Sequence, residues 1–159
     1  MSGLLEGKVA VITGGAGAIG AATAELFARG GADVAVTDIE DARCEEVANR
    51  VRTLGRRALA VGGDLRDSAT VARLGEAVES TFGSADILVN GLGHHLDTSP
   101  DFVSSDEEDW QALYEVNLLH VFRATQRFLP AMKAKGWGRI IAEGELELVA
   151  QALRRVMFP

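Results

Sequence analysis

Beyond Ile141 the chain has no serine, threonine, tyrosine or lysine, so residues 142–159 supply no hydroxyl, phenol or ammonium group for chemistry. Cysteine is nearly absent as well: Cys44 stands alone, which excludes an internal disulfide, and its place in a helical stretch assigns it to packing. Basic clusters are lacking. Only Arg56-Arg57 and Arg154-Arg155 are paired, and 23 acidic against 16 basic residues leave a net charge of −7, which argues against nucleic acid as a partner. No apolar run approaches the roughly 20 residues of a membrane span. The start, Met1-Ser2-Gly3-Leu4-Leu5-Glu6, has no basic stretch followed by a long apolar one, so a cytoplasmic location is expected. The three histidines, His94, His95 and His120, match no zinc-ligand spacing, and no metal site is expected. Internal repeats, low-complexity stretches and interdomain linkers are missing too. With 159 residues of which 47% are hydrophobic, the chain reads as one domain, 1–159, with a sizeable core.

What is present begins at Lys8-Val9-Ala10-Val11-Ile12-Thr13, a β-branched run suited to a strand covered on both faces. It leads into Gly14-Gly15-Ala16-Gly17-Ala18-Ile19-Gly20 and a helix-forming stretch to Arg29. Small residues at such a turn let the N–H groups of the helix N-terminus approach a pyrophosphate, which amide dipoles then hold without a lysine. A glycine turn is common, so a second element is required: an acid closing the next strand. Asp38 closes Asp33-Val34-Ala35-Val36-Thr37. There a carboxylate accepts both ribose hydroxyls of an adenosine and repels a 2′-phosphate, which favours NAD over NADP. The competing assignment is a cap on the helix beginning near Asp41.

Strands are expected near 8–13, 33–37, 57–62, 86–89 and 138–142, and helices near 18–30, 41–54, 68–82 and 106–135. This alternation gives an α/β, doubly wound parallel sheet of about five strands. The last helix is too long to be simple, and a break is expected at Pro130, with Gly136 and Gly138 stopping it before the fifth strand. His94 and His95 follow the fourth strand, at the sheet edge where ligands bind, and an imidazole suits proton transfer. They also suit an ordinary polar loop leading to Asp97, Thr98 and Ser99.

Residues 5 to about 141 resemble the short-chain dehydrogenase/reductase family. The family's Thr-Gly-x-x-x-Gly-x-Gly turn corresponds to Thr13, Gly14, Ala18 and Gly20, with Ala18 in place of the middle glycine. The resemblance implies a Rossmann-type fold, truncated relative to that of the family. It also implies an NAD site built from Gly14, Gly17, Ala18, Ile19, Gly20, Asp38, Asp64, Leu65, Asn90 and Gly93. Asp64-Leu65 matches the pair that contacts adenine, the carboxylate accepting from the exocyclic amine and the aliphatic chain covering the ring. Asn90-Gly91-Leu92-Gly93 stands where the family usually has Asn-Asn-Ala-Gly: Gly91 removes a side-chain amide and Leu92 adds bulk. Asn117 matches the asparagine that holds a water of the family's proton relay at a local helix distortion, and so is the one catalytic candidate. The plain alternative is an asparagine satisfying backbone groups.

The resemblance departs after Gly138-Arg139-Ile140-Ile141. The family continues to a serine that orients the substrate oxygen, then to Tyr-x-x-x-Lys, in which tyrosine exchanges a proton and lysine lowers its pKa and grips the nicotinamide ribose. The only tyrosine here, Tyr114, has Leu118 four residues on and reads as packing or interface. In residues 143–159, Leu146, Val149, Ala150, Leu153, Val156 and Met157 recur at helical spacing, which predicts an atypical closing helix. Two readings follow. One is a member of the family, whose enzymes move hydride between NAD and a secondary alcohol or ketone, with little or no activity alone. The other is a non-catalytic NAD-binding or dimerising module, and either is compatible with a homodimer.

Overall fold

The computed structural model of the chain describes residues 3–93 and 103–142. His94, His95 and the amphipathic stretch at 143–159 lie outside them. Strands β1 (Val9–Thr13), β2 (Asp33–Asp38), β3 (Ala58–Gly62), β4 (Ile87–Asn90) and β5 (Arg139–Ala142) form one sheet in the order β3-β2-β1-β4-β5. Every described pairing is parallel. The helices between them are α1 (Ala18–Arg29), α2 (Asp41–Thr53), α3 (Ser68–Phe82), α4 (Glu107–Tyr114) and α5 (His120–Lys135), with a π-helical turn at Glu115–Leu119 joining the last two.

Apolar side chains along β1 alternate between two faces, as the pleat requires, and both faces are covered. Ala10 and Ile12 join Val34, Val36, Ala24 and Ala28 of α1, and Val47 and Val51 of α2. Val9 and Val11 join Leu74 and Val78 of α3 and Phe128 and Met132 of α5. The division follows from strand order. The chain steps one way from β1 to β3 and the other way from β3 to β5, so right-handed crossovers place α1 and α2 on one face and α3 and α5 on the other. Cys44 packs in the first cluster with no exposure, and burial, with the Asp38 charge second, pushes its thiol up to about 11.

The long helix is interrupted, though not at Pro130. Helix α5 runs through Pro130, and the break is the π-turn, a widened turn of the helix. Pro130 removes one backbone donor, and the carbonyl it would have served belongs to Gln126, an exposed residue whose backbone water can reach. Gly136 ends α5 in the left-handed region at φ +66°, as its place before β5 suggests.

His120 opens α5 wholly buried, and its Nδ1 lies 3.0 Å from the Val116 carbonyl oxygen. Burial pushes its imidazolium down from 6.5 to about 4, against the smaller upward pull of that carbonyl. The unfolded chain therefore takes up this proton before the folded one does. The stability carried by neutral His120 is complete above about pH 6.5 and is lost as the pH falls toward about 4, a change of about 3 kcal/mol. Urea unfolding of the wild type and His120→Leu between about pH 7.5 and 4.5 should show the wild type losing the more stability. Parallel curves would contradict this burial.

Candidate dinucleotide site

All five strands run the same way, so their carboxyl ends share one edge, and β1 lies where the chain order reverses between β2 and β4. Open sheets of this kind bind ligands in the crevice at that point. A cleft of about 320 Å³ lies there, at the low end of the size range of ligand sites. Gly14, Gly17, Asp38, Ile39, Gly63, Asp64, Leu65 and Arg66 line one part of it, and Gly91, Leu92, Gly93 and Val116 another.

The glycine turn is held from both sides. Gly15 N–H donates to the Thr37 carbonyl at 3.1 Å, and Gly91 N–H donates to the Thr13 carbonyl at 3.2 Å. A Cβ on Gly20 would lie 2.2 Å from the Gly14 carbonyl oxygen, and one on Gly14, at φ +66°, would lie 2.5 Å from the Gly91 carbonyl oxygen. Neither position admits a side chain. Helix α1 begins immediately after Gly17, which has no side chain to cap it. The first N–H groups of an α-helix have no partner within the helix, so those of Ala18, Ile19 and Gly20 form the electropositive helix end beside the cleft, suited to an anion.

Asp38 ends β2 at the cleft rim. Its Oδ2 accepts from Ala16 N–H at 3.1 Å and its Oδ1 from Ile39 N–H at 2.8 Å. Helix α2 starts at Asp41 with Glu40 as its N-cap residue, so Asp38 does not serve as that cap. Arg43, the nearest cation along the chain, donates to the Ala16 carbonyl at 2.9 Å and pairs with Glu40 at 3.6 Å.

At Asp64 the structure adds a neighbour that sequence reasoning missed. Arg66 Nε and Nη2 reach Asp64 Oδ2 at 2.9 and 2.7 Å, and this guanidinium holds the Asp64 carboxyl below its usual range. The carboxylate expected to meet an adenine amine is thus already engaged. Leu65 beside it is buried at 1% exposure.

Asn90 pairs in register with Thr13, next to the glycine turn, but is turned into the interior. It is 1% exposed at the end of β4, does not line the cleft, and neither its Oδ1 nor its Nδ2 has a partner among the described residues. Gly93 does line the cleft, and a Cβ built on it would lie 3.6 Å from Asn117 Oδ1. Asn117 sits in the π-turn, and its Nδ2 donates to the Leu113 carbonyl at 3.0 Å. The structure thus brings Gly14, Gly17, Asp38, Asp64, Leu65 and Gly93 to one cleft, with Ala18, Ile19, Gly20 and Asn117 at its border. Gly91 and Leu92 of the motif after β4 line it too, and Ile39, Gly63, Arg66 and Val116 line it unforeseen. Of these, Ile39, Gly63 and Arg66 stand within two residues of expected positions near strand ends, a signal that was available. Tyr114 is exposed on α4 and does not line the cleft. No described helix is long and apolar enough to cross a membrane, and no described cluster of His, Cys, Asp and Glu is grouped to hold a metal ion.

Comparison with known proteins matches this arrangement. A family model described as short chain dehydrogenase matches residues 8–143. D-beta-hydroxybutyrate dehydrogenase of Cupriavidus necator is 36% identical over 139 residues, 87% of this chain and 53% of its own length. 2,3-dihydro-2,3-dihydroxybenzoate dehydrogenase of Bacillus subtilis is 36% identical over 141 residues, 88% of this chain and 53% of its own. The crystal structure of L-sorbose reductase from Gluconobacter frateurii, complexed with NADPH and L-sorbose, superposes with a TM-score of 0.79 at 36% identity, over 87% of this chain and 52% of that one. The chain spans about half the length of the relatives it matches. With a parallel five-stranded sheet, a glycine turn at the β1–α1 junction and a family match over most of its residues, it belongs to the short-chain dehydrogenase/reductase family.

Proposed function

We propose that the cleft holds NAD and that the chain is the cofactor-binding part of an oxidoreductase acting on a secondary alcohol or ketone. The observation that carries this is the joint placement of Asp38 and the Gly14–Gly20 contact. The carboxylate stands at the rim, pinned by the Ala16 N–H of the same turn whose glycines leave no room for a Cβ. Bound NAD would supply hydride exchange with a carbon bearing oxygen. The chain's own residues bind and orient. The N–H groups of Ala18, Ile19 and Gly20 face the diphosphate, Asp38 takes the adenosine ribose hydroxyls, and Leu65 covers adenine beside the Asp64–Arg66 pair. Gly93 leaves space for the nicotinamide ribose.

NAD is preferred to NADP in this reading because a 2′-phosphate would meet the Asp38 carboxylate. Arg43, the cation best placed to offset it, is engaged by the Ala16 carbonyl and by Glu40. Asn117 is the one relay candidate, with its Oδ1 toward Gly93. Residues 142–159 contain no serine, tyrosine or lysine, so the 159 residues by themselves bind cofactor with little turnover. Loss of a positioned general acid costs on the order of 10²–10⁴ in rate.

Calorimetric titration of the purified chain should show saturable NAD binding that is tighter than NADP binding. Asp38→Ala should weaken NAD by about tenfold or more, the scale of hydrogen bonds to a charged group, and should narrow the NAD-to-NADP ratio. Gly20→Val should abolish binding of both while the chain stays folded by circular dichroism. A folded wild type that binds neither at millimolar concentration would refute the assignment. In a second assay, NADH formation from simple secondary alcohols should stay near background. Sustained turnover sensitive to Asn117→Ala would contradict the reading of low activity.

A further inference from the structure

We propose that His120 is a positioning residue whose ring holds the π-turn at 115–119 in the register that turns Asn117 toward the cleft. The inference rests on the assignment of the cleft to NAD, and one of its tests does not.

A π-turn admits an extra residue into the helical spiral, and the regular i to i−4 ladder is disturbed there. Two carbonyls one turn back receive side-chain donors: Asn117 Nδ2 reaches Leu113 O, and His120 Nδ1 reaches Val116 O, each at 3.0 Å. A carbonyl only accepts, so the proton of neutral His120 is on Nδ1. Its Nε2 is buried with no partner among the described residues. A wholly buried position is a costly place for an imidazole that gives up one of its two hydrogen bonds. An apolar side chain would fill the same space without that cost. The bond that His120 does make falls on Val116, which lines the cleft and directly precedes Asn117.

Asn117 and His120 therefore grip adjacent stretches of one widened turn, one from the cleft side and one from the core. Without the His120 donor, the Val116 carbonyl loses this partner and the turn is free to tighten into regular α-helix. A one-residue change of register rotates the flanking residues by about 100° relative to each other. That is enough to carry Asn117 away from Gly93.

The test compares His120→Leu, which fills the space without a donor, with His120→Asn, which can repeat at 120 the bond that Asn117 makes to Leu113. Without ligand, the side-chain amide signals of Asn117 in 1H–15N spectra should move and exchange faster in His120→Leu and keep their wild-type positions in His120→Asn. In titrations, His120→Leu should bind NAD about fivefold more weakly, because Val116, which lines the cleft together with Gly93, shifts with the turn, while ADP binding is unchanged. His120→Asn should restore the NAD value. Unmoved Asn117 signals in a folded His120→Leu chain would overturn the proposal, as would equal weakening of NAD and ADP. Should the leucine variant fail to fold, shifted Asn117 signals in His120→Asn would overturn it and retained ones would support it. A wild type that binds no NAD would refute the cofactor assignment, and the amide signals would still decide the role of His120.

Discussion

The cleft depends on a contact that only hydrogen permits. Gly20 lies against the Gly14 carbonyl and Gly14 against the Gly91 carbonyl, at separations that a methyl group would violate. Those two approaches bring the start of α1, the turn after β1 and the loop after β4 into one wall. Further away, the packing serves this wall. Ala21, Ala24 and Ala28 seat α1 closely on β1 and β2, and Asp86 accepts from Val9 N–H at 2.9 Å, tying the chain before β4 to the start of β1. Lengthening the side chain at Gly20 would push the helix end away from the crevice that its N–H groups face.

Electrostatics at the edge is arranged by strand ends. Asp38 and Asp64 stand one strand apart, each held by a different device: backbone N–H groups for Asp38, and the Arg66 guanidinium for Asp64. Among the described residues, the acid expected to meet the ribose has no ion-pair partner of its own. The acid expected to meet adenine is neutralised by Arg66, whose carbonyl in turn accepts from Arg123 of α5. An adenine bound there would meet a paired carboxylate and guanidinium in place of a bare acid.

Much of this was legible in the sequence because strands buried on both faces and a glycine turn are local signals. The run from Val9 to Thr13 and the acid at Asp38 were enough to place the crevice. The π-turn was not legible by periodicity, since Trp110, Leu113, Val116, Asn117, Val121, Phe122 and Phe128 recur at roughly helical spacing across it. The visible breaker, Pro130, sits where water can compensate its missing donor. Long-range facts were also hidden. That Asn90 is buried away from the cleft lining depends on how the helices cover β4, and the pairing of Arg66 with Asp64 depends on a loop conformation with no sequence signature. His120 read only as a spare imidazole, because the bond that gives it meaning falls on a backbone carbonyl.

The central claim is that the carboxyl edge around Gly14 and Asp38 is built to receive a dinucleotide. Backbone 1H–15N mapping of the folded chain during addition of NAD tests it most directly. The account predicts saturable shifts at the amides of Gly14, Gly17, Ile19, Ile39, Leu65 and Gly93, with those of Gly83 and Gly136 at the far edge of the sheet unmoved. Shifts confined to the far edge, or none at millimolar NAD, would contradict it.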